Sequence, residues 1–198
     1  MQTNNSFGKE YWNQRWISGQ TGWDLGAVSP ALKTYIDQLP DKTISILIPG
    51  CGNSWEAEYL QEQGFLNTHV IDISPAALES FRKRMPGFPA KQLHCCDFFE
   101  FKGIEFQLIL EQTFFCALDP SLRPAYVQQM HQLLVPGGKL TGLLFEETGN
   151  TDQPPFGGSV DEYRRLFEPS FQILRLEKAY NSIPPRAGRE LFMIMKKN

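Results

Sequence analysis

The segment Ile46-Leu47-Ile48-Pro49-Gly50-Cys51-Gly52-Asn53-Ser54 constrains the fold of this chain more than any other. An apolar run enters a Gly-x-Gly turn, and Val70-Ile71-Asp72 ends the next apolar run in an acid about 20 residues later. That layout suits an α/β fold in which glycines let the backbone approach a nucleotide and the acid accepts from ribose hydroxyls. Asp72 has a plainer reading too, as a cap for a helix starting near Ser74. In open α/β sheets the ligand lies beyond the carboxyl ends of the strands. Gly50, Asp72, Asp97 and Glu111 all fall there.

The remaining pattern supplies the other elements. Ser29-Pro30 reads as a cap and first helical residue, with an apolar face through Leu32, Tyr35, Ile36 and Leu39 up to Pro40. Strands are expected at 44–48, 69–73, 92–95, 106–110 and 139–145. Helices are expected from Ser54 to Gln63, from Ser74-Pro75 to about Arg84, and from Asp119-Pro120 to Leu134, where Pro136-Gly137-Gly138 ends the last of these. Ser159 and Glu162 form a capping box for a helix through Phe167. Two final strands, 171–177 and 190–195, flank a Pro- and Gly-bearing turn and read as a hairpin. The expected fold class is therefore α/β, a single doubly wound domain. Its mostly parallel seven-stranded sheet would end in an antiparallel hairpin strand.

Composition narrows the function classes. At 198 residues, 41% of them hydrophobic, the chain can bury a full core. Aromatics make up 13%, with 15 Phe and 4 Trp, enough to wall a pocket as well as fill a core. A net charge of −3 gives no basic face for nucleic acid or an anionic membrane. No apolar run approaches the ~18 residues of a membrane span. The polar stretch 1–9 lacks a signal-peptide layout. The four cysteines contain no Cys-x-x-Cys pair, so no metal site is expected. Reduced thiols in a cytoplasmic protein, with a monomer favoured, are the expectation.

Several residues stand out chemically. A dinucleotide fingerprint wants Gly or Ala at its sixth position, and here stands Trp55. That indole argues against a nicotinamide dinucleotide and for another adenosine ligand, with S-adenosylmethionine the candidate. Asp97 suits an adenine amino group and Phe98 the base, unless Asp97 is a plain turn residue. Trp12 and Trp16 share one helical face, and Trp23 follows. They are either a stripe packed on the sheet or an aromatic lid, spanning 7–28, over a sulfonium cation. Cys116 has no neighbouring base and reads as a buried or pocket-lining thiol. Arg186 and Arg189 either attract an anionic acceptor or are simply solvated.

Taken together, the chain resembles the thiopurine S-methyltransferase family over about 12–196, and most of all its halide/thiol methyltransferase branch with bacterial relatives. The resemblance rests on Trp12-x-x-x-Trp16, Trp23-Asp24-x-Gly26, Ile48-Pro49-Gly50-Cys51-Gly52, Ile71-Asp72-Ile73-Ser74 and Phe114-Phe115-Cys116-Ala117. Arg123-Pro124-Ala125 and Ile183-Pro184-Pro185-Arg186-x-Gly188 complete it. It implies a class I, Rossmann-like methyltransferase that uses S-adenosyl-L-methionine. Trp12, Trp16, Trp23, Gly50, Gly52, Asp72, Ile73, Asp97, Phe98 and Glu111 would bind that cofactor. Gln112, Phe115, Cys116, Phe145 and Arg186 would face a small-molecule or small-anion methyl acceptor.

Gln112 and Phe145 depart from the plant halide/thiol enzymes, which carry Tyr at both positions. The implied reaction is in-line displacement of a sulfonium methyl by a thiol, bisulfide, thiocyanate or halide. For an organic thiol, Glu111 is the candidate base and Gln112 orients the acceptor, unless Glu111 is a structural cap or pairs with the cofactor's amino group. A non-catalytic adenosine-binding domain and an NAD-dependent oxidoreductase are the alternatives.

Overall fold

A computed structural model describes residues 7–198. Its sheet has seven strands: β1 (Ile46–Pro49), β2 (Thr68–Asp72), β3 (Leu93–Cys95), β4 (Phe106–Gln112), β5 (Leu134–Phe145), β6 (Phe171–Lys178) and β7 (Glu190–Lys197). They lie in the order β3-β2-β1-β4-β5-β7-β6. β1 to β5 pair in parallel, and β7 runs antiparallel to both β5 and β6. The closing hairpin thus contributes one antiparallel strand, as the sequence implies. The chain winds outward from β1 to β3, then crosses back to β4, so the order reverses between β1 and β4. A crevice opens at such a reversal.

Helices cover both faces: α1 (Lys9–Ile17), α2 (Pro30–Ile36), α3 (Trp55–Glu62), α4 (Pro75–Arg84), α5 (Arg123–Leu133) and α6 (Val160–Phe167). All four β1 residues are buried, which explains the unbroken apolar run. Side chains alternate across the sheet. Leu47, Ile71 and Ile109 enter a core with Tyr126, Met130 and Phe167, while Ile46, Ile48 and Val70 enter another with Leu60, Leu78 and Phe81.

The local signals succeed and fail for identifiable reasons. Ser74 and Ser159 cap α4 and α6, accepting from the N–H groups of Ala77 (3.2 Å) and Glu162 (3.1 Å). The capping box is only half formed, because the Glu162 carboxylate pairs with Arg123. Ser54 does not cap α3; it sits at φ +50°, in the left-handed region, and its side chain makes no cap bond. Ser29 caps through no side-chain bond either, and its backbone N–H donates to Glu56 instead. α2 stops at Ile36, short of the expected Leu39.

The helix expected from Asp119 splits into a single turn at Pro120–Leu122 and then α5. Pro136-Gly137-Gly138 lies within β5 rather than before it. A Cβ on Gly138 would come within 2.9 Å of the Val135 carbonyl and 3.1 Å of the Phe106 carbonyl. The pairing with β4 slips between Phe106 and Leu108 at the same place. The glycines therefore accommodate a strand irregularity at close backbone approach.

Candidate active site

A cavity of about 700 Å³ opens at the carboxyl ends of the parallel strands. Gly50 and Gly52, at φ +56° and +52°, form its edge. A Cβ on Gly50 would meet the Phe114 ring at 2.2 Å, and one on Gly52 would meet the Trp16 ring at 2.9 Å. The two glycines thus make room for the aromatic rings that wall the cavity.

Asp72 ends β2 beside them. One of its oxygens accepts from the Gly52 N–H and the other from the Ser74 N–H, each at 2.8 Å. The capping contact is therefore real, and it leaves lone pairs on both oxygens for a ligand. Burial pushes the Asp72 carboxyl up to about 6, against the backbone N–H groups of Ser74, Gly52 and Ile73, which favour the charged form. Asp97 lines the cavity as well and accepts from the Phe99 N–H at 2.9 Å. Ile73 and Phe98 complete this side.

The N-terminal segment roofs the cavity. Trp12 and Trp16 of α1 meet Trp23 edge-on, with centroids 5.4 and 6.1 Å apart, and all three line the opening. α1 contains no buried residue, so the packed-stripe reading does not hold. Asn13 pins α1 to the start of α4, accepting from the Ser74 hydroxyl (3.0 Å) and the Ala76 N–H (3.1 Å). Tyr11 and Arg15 also line the cavity, and neither was assigned a role from sequence. Their signal was available, since both sit within a turn of the paired tryptophans.

The far side is built from Cys116, Phe145, Pro154, Pro155, Pro185, Arg186 and Arg189. Arg186 is 8% exposed, not solvated. It pairs with Glu190 at 3.3 Å, donates to the Trp23 carbonyl at 2.6 Å and stacks on Phe145 with 5.4 Å to the ring centroid. Burial drives the Cys116 thiol far above its usual range, so it stays protonated.

Three assignments need correction. Glu111, expected as an acid with no partner, is 0% exposed and stands outside the cavity wall. Its carboxylate accepts from the Phe114 and Phe115 N–H groups and from the Tyr126 hydroxyl. Phe115 is no pocket wall; it is 1% exposed and packs among Tyr126, Tyr163 and Phe167. Gln112 does not reach the acceptor side. It faces a separate chamber of about 50 Å³ behind the glycine turn, its buried amide atoms without a partner among the described residues. Strand alternation, extended two residues past Leu110, sends Glu111 to the α5 side and Gln112 to the other. Among the described residues no cluster of three or more His, Cys, Asp or Glu could hold a metal.

A doubly wound sheet with a glycine turn, two carboxylates at strand ends and an aromatic roof has the layout of the class I, Rossmann-like methyltransferase fold. Solved structures share the fold. The 1,6-didemethyltoxoflavin-N1-methyltransferase of Burkholderia thailandensis superposes with a TM-score of 0.76, at 20% identity over 96% of this chain and 87% of that one. A TehB-like methyltransferase from Corynebacterium glutamicum gives 0.65, at 18% identity over 96% and 98%.

Sequence goes further. The thiopurine S-methyltransferase family profile matches residues 7–193, and the chain belongs to that family. A probable thiol methyltransferase 2 of Arabidopsis thaliana is 33% identical, covering 94% of this chain and 84% of its own length. Thiocyanate methyltransferase 1 of Brassica oleracea is 30% identical over 90% and 81%. A thiopurine S-methyltransferase of Nitrosospira multiformis is 27% identical over 86% of each. The chain is an S-adenosylmethionine-dependent methyltransferase, and the nicotinamide reading gives way. Among the described residues no helix is long and apolar enough to cross a membrane.

Proposed function

We propose that this enzyme methylates a small soft nucleophile: a thiol, bisulfide, thiocyanate or halide. The carrying observation is the distribution of acids. Among the described residues, the carboxylates lining the cavity are Asp72 and Asp97, both at strand ends on the glycine-turn side. The far side offers a buried arginine, a protonated thiol, Phe145 and prolines, but no general base. Such a site suits a nucleophile that arrives already deprotonated. The names of the plant relatives support the same class of acceptor.

The residues present fit the methyl donor: two carboxylates for sugar and base, and tryptophan faces for a cation. Bound S-adenosylmethionine would supply a sulfonium methyl carbon open to in-line attack by the acceptor's lone pair, with the carbon–sulfur bond breaking and the neutral thioether as leaving group. In this reading Asp72, beside Ile73, accepts from the ribose hydroxyls, and Asp97 from the adenine amino group, with Phe98 against the base. Gly50 and Gly52 let the backbone approach the ligand, and Trp12, Trp16 and Trp23 cover the sulfonium. Cys116 and Phe145 form the dry wall against which an anion sheds water, and Arg186 attracts it. Glu111 serves by bracing the Phe114 turn and moves no proton. Four free thiols fit a reducing, cytoplasmic setting.

A headspace mass-spectrometric assay with S-adenosylmethionine and iodide, bisulfide, thiocyanate or small aromatic thiols tests this. Methyl iodide or methanethiol is the expected product. Silence with every acceptor, alongside tight binding of S-adenosylhomocysteine, would overturn the acceptor class.

A further inference from the structure

Trp55 stands where a nucleotide-binding glycine turn ordinarily ends in a third small residue, yet its indole does not line the large cavity. The ring lies under the Arg84 guanidinium, 3.9 Å from centroid to Cζ, and its Nε1–H donates to Asp24 Oδ1 at 2.6 Å. The same carboxylate accepts from the Gly26 N–H at 3.0 Å and, through Oδ2, from the Asn53 side-chain amide. Asn53 belongs to the glycine turn and is itself held. Its Oδ1 accepts from the Ser80 hydroxyl at 2.9 Å, and its carbonyl accepts from Arg84. One carboxylate on the N-terminal segment thus gathers a donor from the turn and a donor from the first residue of α3.

The residue before Asp24 is Trp23, whose carbonyl receives Arg186 from the hairpin turn. Trp23 is therefore fixed from both sides, and Trp12 and Trp16 pack their edges on it. No residue of α1 is fully buried, and Trp12 and Trp16 are half-buried against Trp23, so polar anchors share with these ring contacts the work of holding the roof. The Asp24 anchor is the one that also reaches the glycine turn.

We propose that Asp24 and Trp55 form a latch that positions Trp23 and the Asn53 turn, so that donor affinity depends on a pair lying outside the donor cavity. The bulky residue in the fingerprint is there to fasten the roof. This inference rests on placing the donor in the large cavity.

The test combines D24A, W55F and the double variant, titrated calorimetrically with S-adenosylhomocysteine. D24A weakens binding at least tenfold and W55F at least fivefold. The double variant is no more than twofold weaker than the worse single, because the contact W55F removes is already among those lost in D24A. The KM for S-adenosylmethionine rises in step, while kcat at saturating donor falls less than threefold. Without ligand, trypsin cleaves after Arg15 at least fivefold faster in W55F, which keeps the ring under Arg84 should D24A misfold. Losses that multiply in the double variant overturn the latch, as do unchanged affinity and unchanged cleavage in W55F. A wild-type protein that fails to bind S-adenosylhomocysteine counts against the donor site, and the cleavage rates then judge the latch alone.

Discussion

The Glu111 carboxylate accepts a 2.6 Å hydrogen bond from the Tyr126 hydroxyl, deep between β4 and α5. Its other oxygen receives the N–H groups of Phe114 and Phe115 at 2.7 and 2.9 Å. These contacts hold the turn that follows Thr113, itself at φ +59°, and set Phe114 against Gly50 at the edge of the cavity. An acid at a strand end is thus spent on shaping the wall.

The same contacts give stability a pH dependence. Burial pushes the Glu111 carboxyl up to about 7, outweighing the three donors that favour its charged form. An unfolded glutamate titrates near ~4.3. The native state therefore holds the proton more tightly, and the contribution, roughly 4 kcal/mol, is complete below the unfolded value and lost as pH rises through about 7. Glu111→Gln keeps an acceptor for the two N–H groups and carries no charge. Urea denaturation should show the wild type losing stability from pH 5 to 8 and the variant losing much less; parallel curves would refute the assignment.

Asp72 predicts the opposite trend in binding. With its carboxyl near 6, the charged form that accepts best from ribose hydroxyls accumulates above that pH. Affinity for S-adenosylhomocysteine should rise between pH 5 and 7 and then level off. Asp72→Ala should weaken binding by about 1.5–3 kcal/mol and abolish the rise. Affinity unchanged in the variant would remove Asp72 from the site.

How legible this was in the sequence depends on the range of the interaction. Strand, turn and helix around Gly50 are written in local periodicity, and so are the caps at Ser74 and Ser159. The capping alternative for Glu111 is the one the structure bears out, while its Tyr126 contact and the burial of Phe115 among Tyr163 and Phe167 arise only from tertiary packing. Arg186 falls on the cavity wall as its place in the late turn implies, but its contact with Trp23, 163 residues away, has no local signature. Trp55 stands out locally as an exception to the fingerprint, but its contact with Asp24 has no local signature.

Gly142 is a further long-range case. A glycine inside a strand signals close backbone approach, and a Cβ here would lie 2.2 Å from the Glu111 carbonyl oxygen and 2.4 Å from Glu111 Cβ. Backbone on the facing strand cannot yield as a side-chain tip can. Gly142→Ala should cost about 3 kcal/mol or more, at the upper end for overpacking. Denaturant melts giving less than about 1 kcal/mol would mean that the two strands separate easily there.

Trp16 and Gly52 test the roof from the other side. Because Trp16 is only half-buried, Trp16→Ala should cost well below the roughly 3–5 kcal/mol of a core aromatic in fold stability. It should weaken donor binding by about 0.5–2 kcal/mol, the scale of a cation–π contact. Gly52→Ala combines two penalties: a left-handed backbone at φ +52°, worth about 1–2 kcal/mol, and a Cβ 2.9 Å from the Trp16 ring. Removing the ring relieves the second and leaves the first. Gly52→Ala should therefore cost less stability in a Trp16→Ala background than in the wild type, as measured by a double-mutant cycle of urea melts. Strict additivity would show that ring and turn do not press on each other, and the aromatic roof would then have to be seated elsewhere.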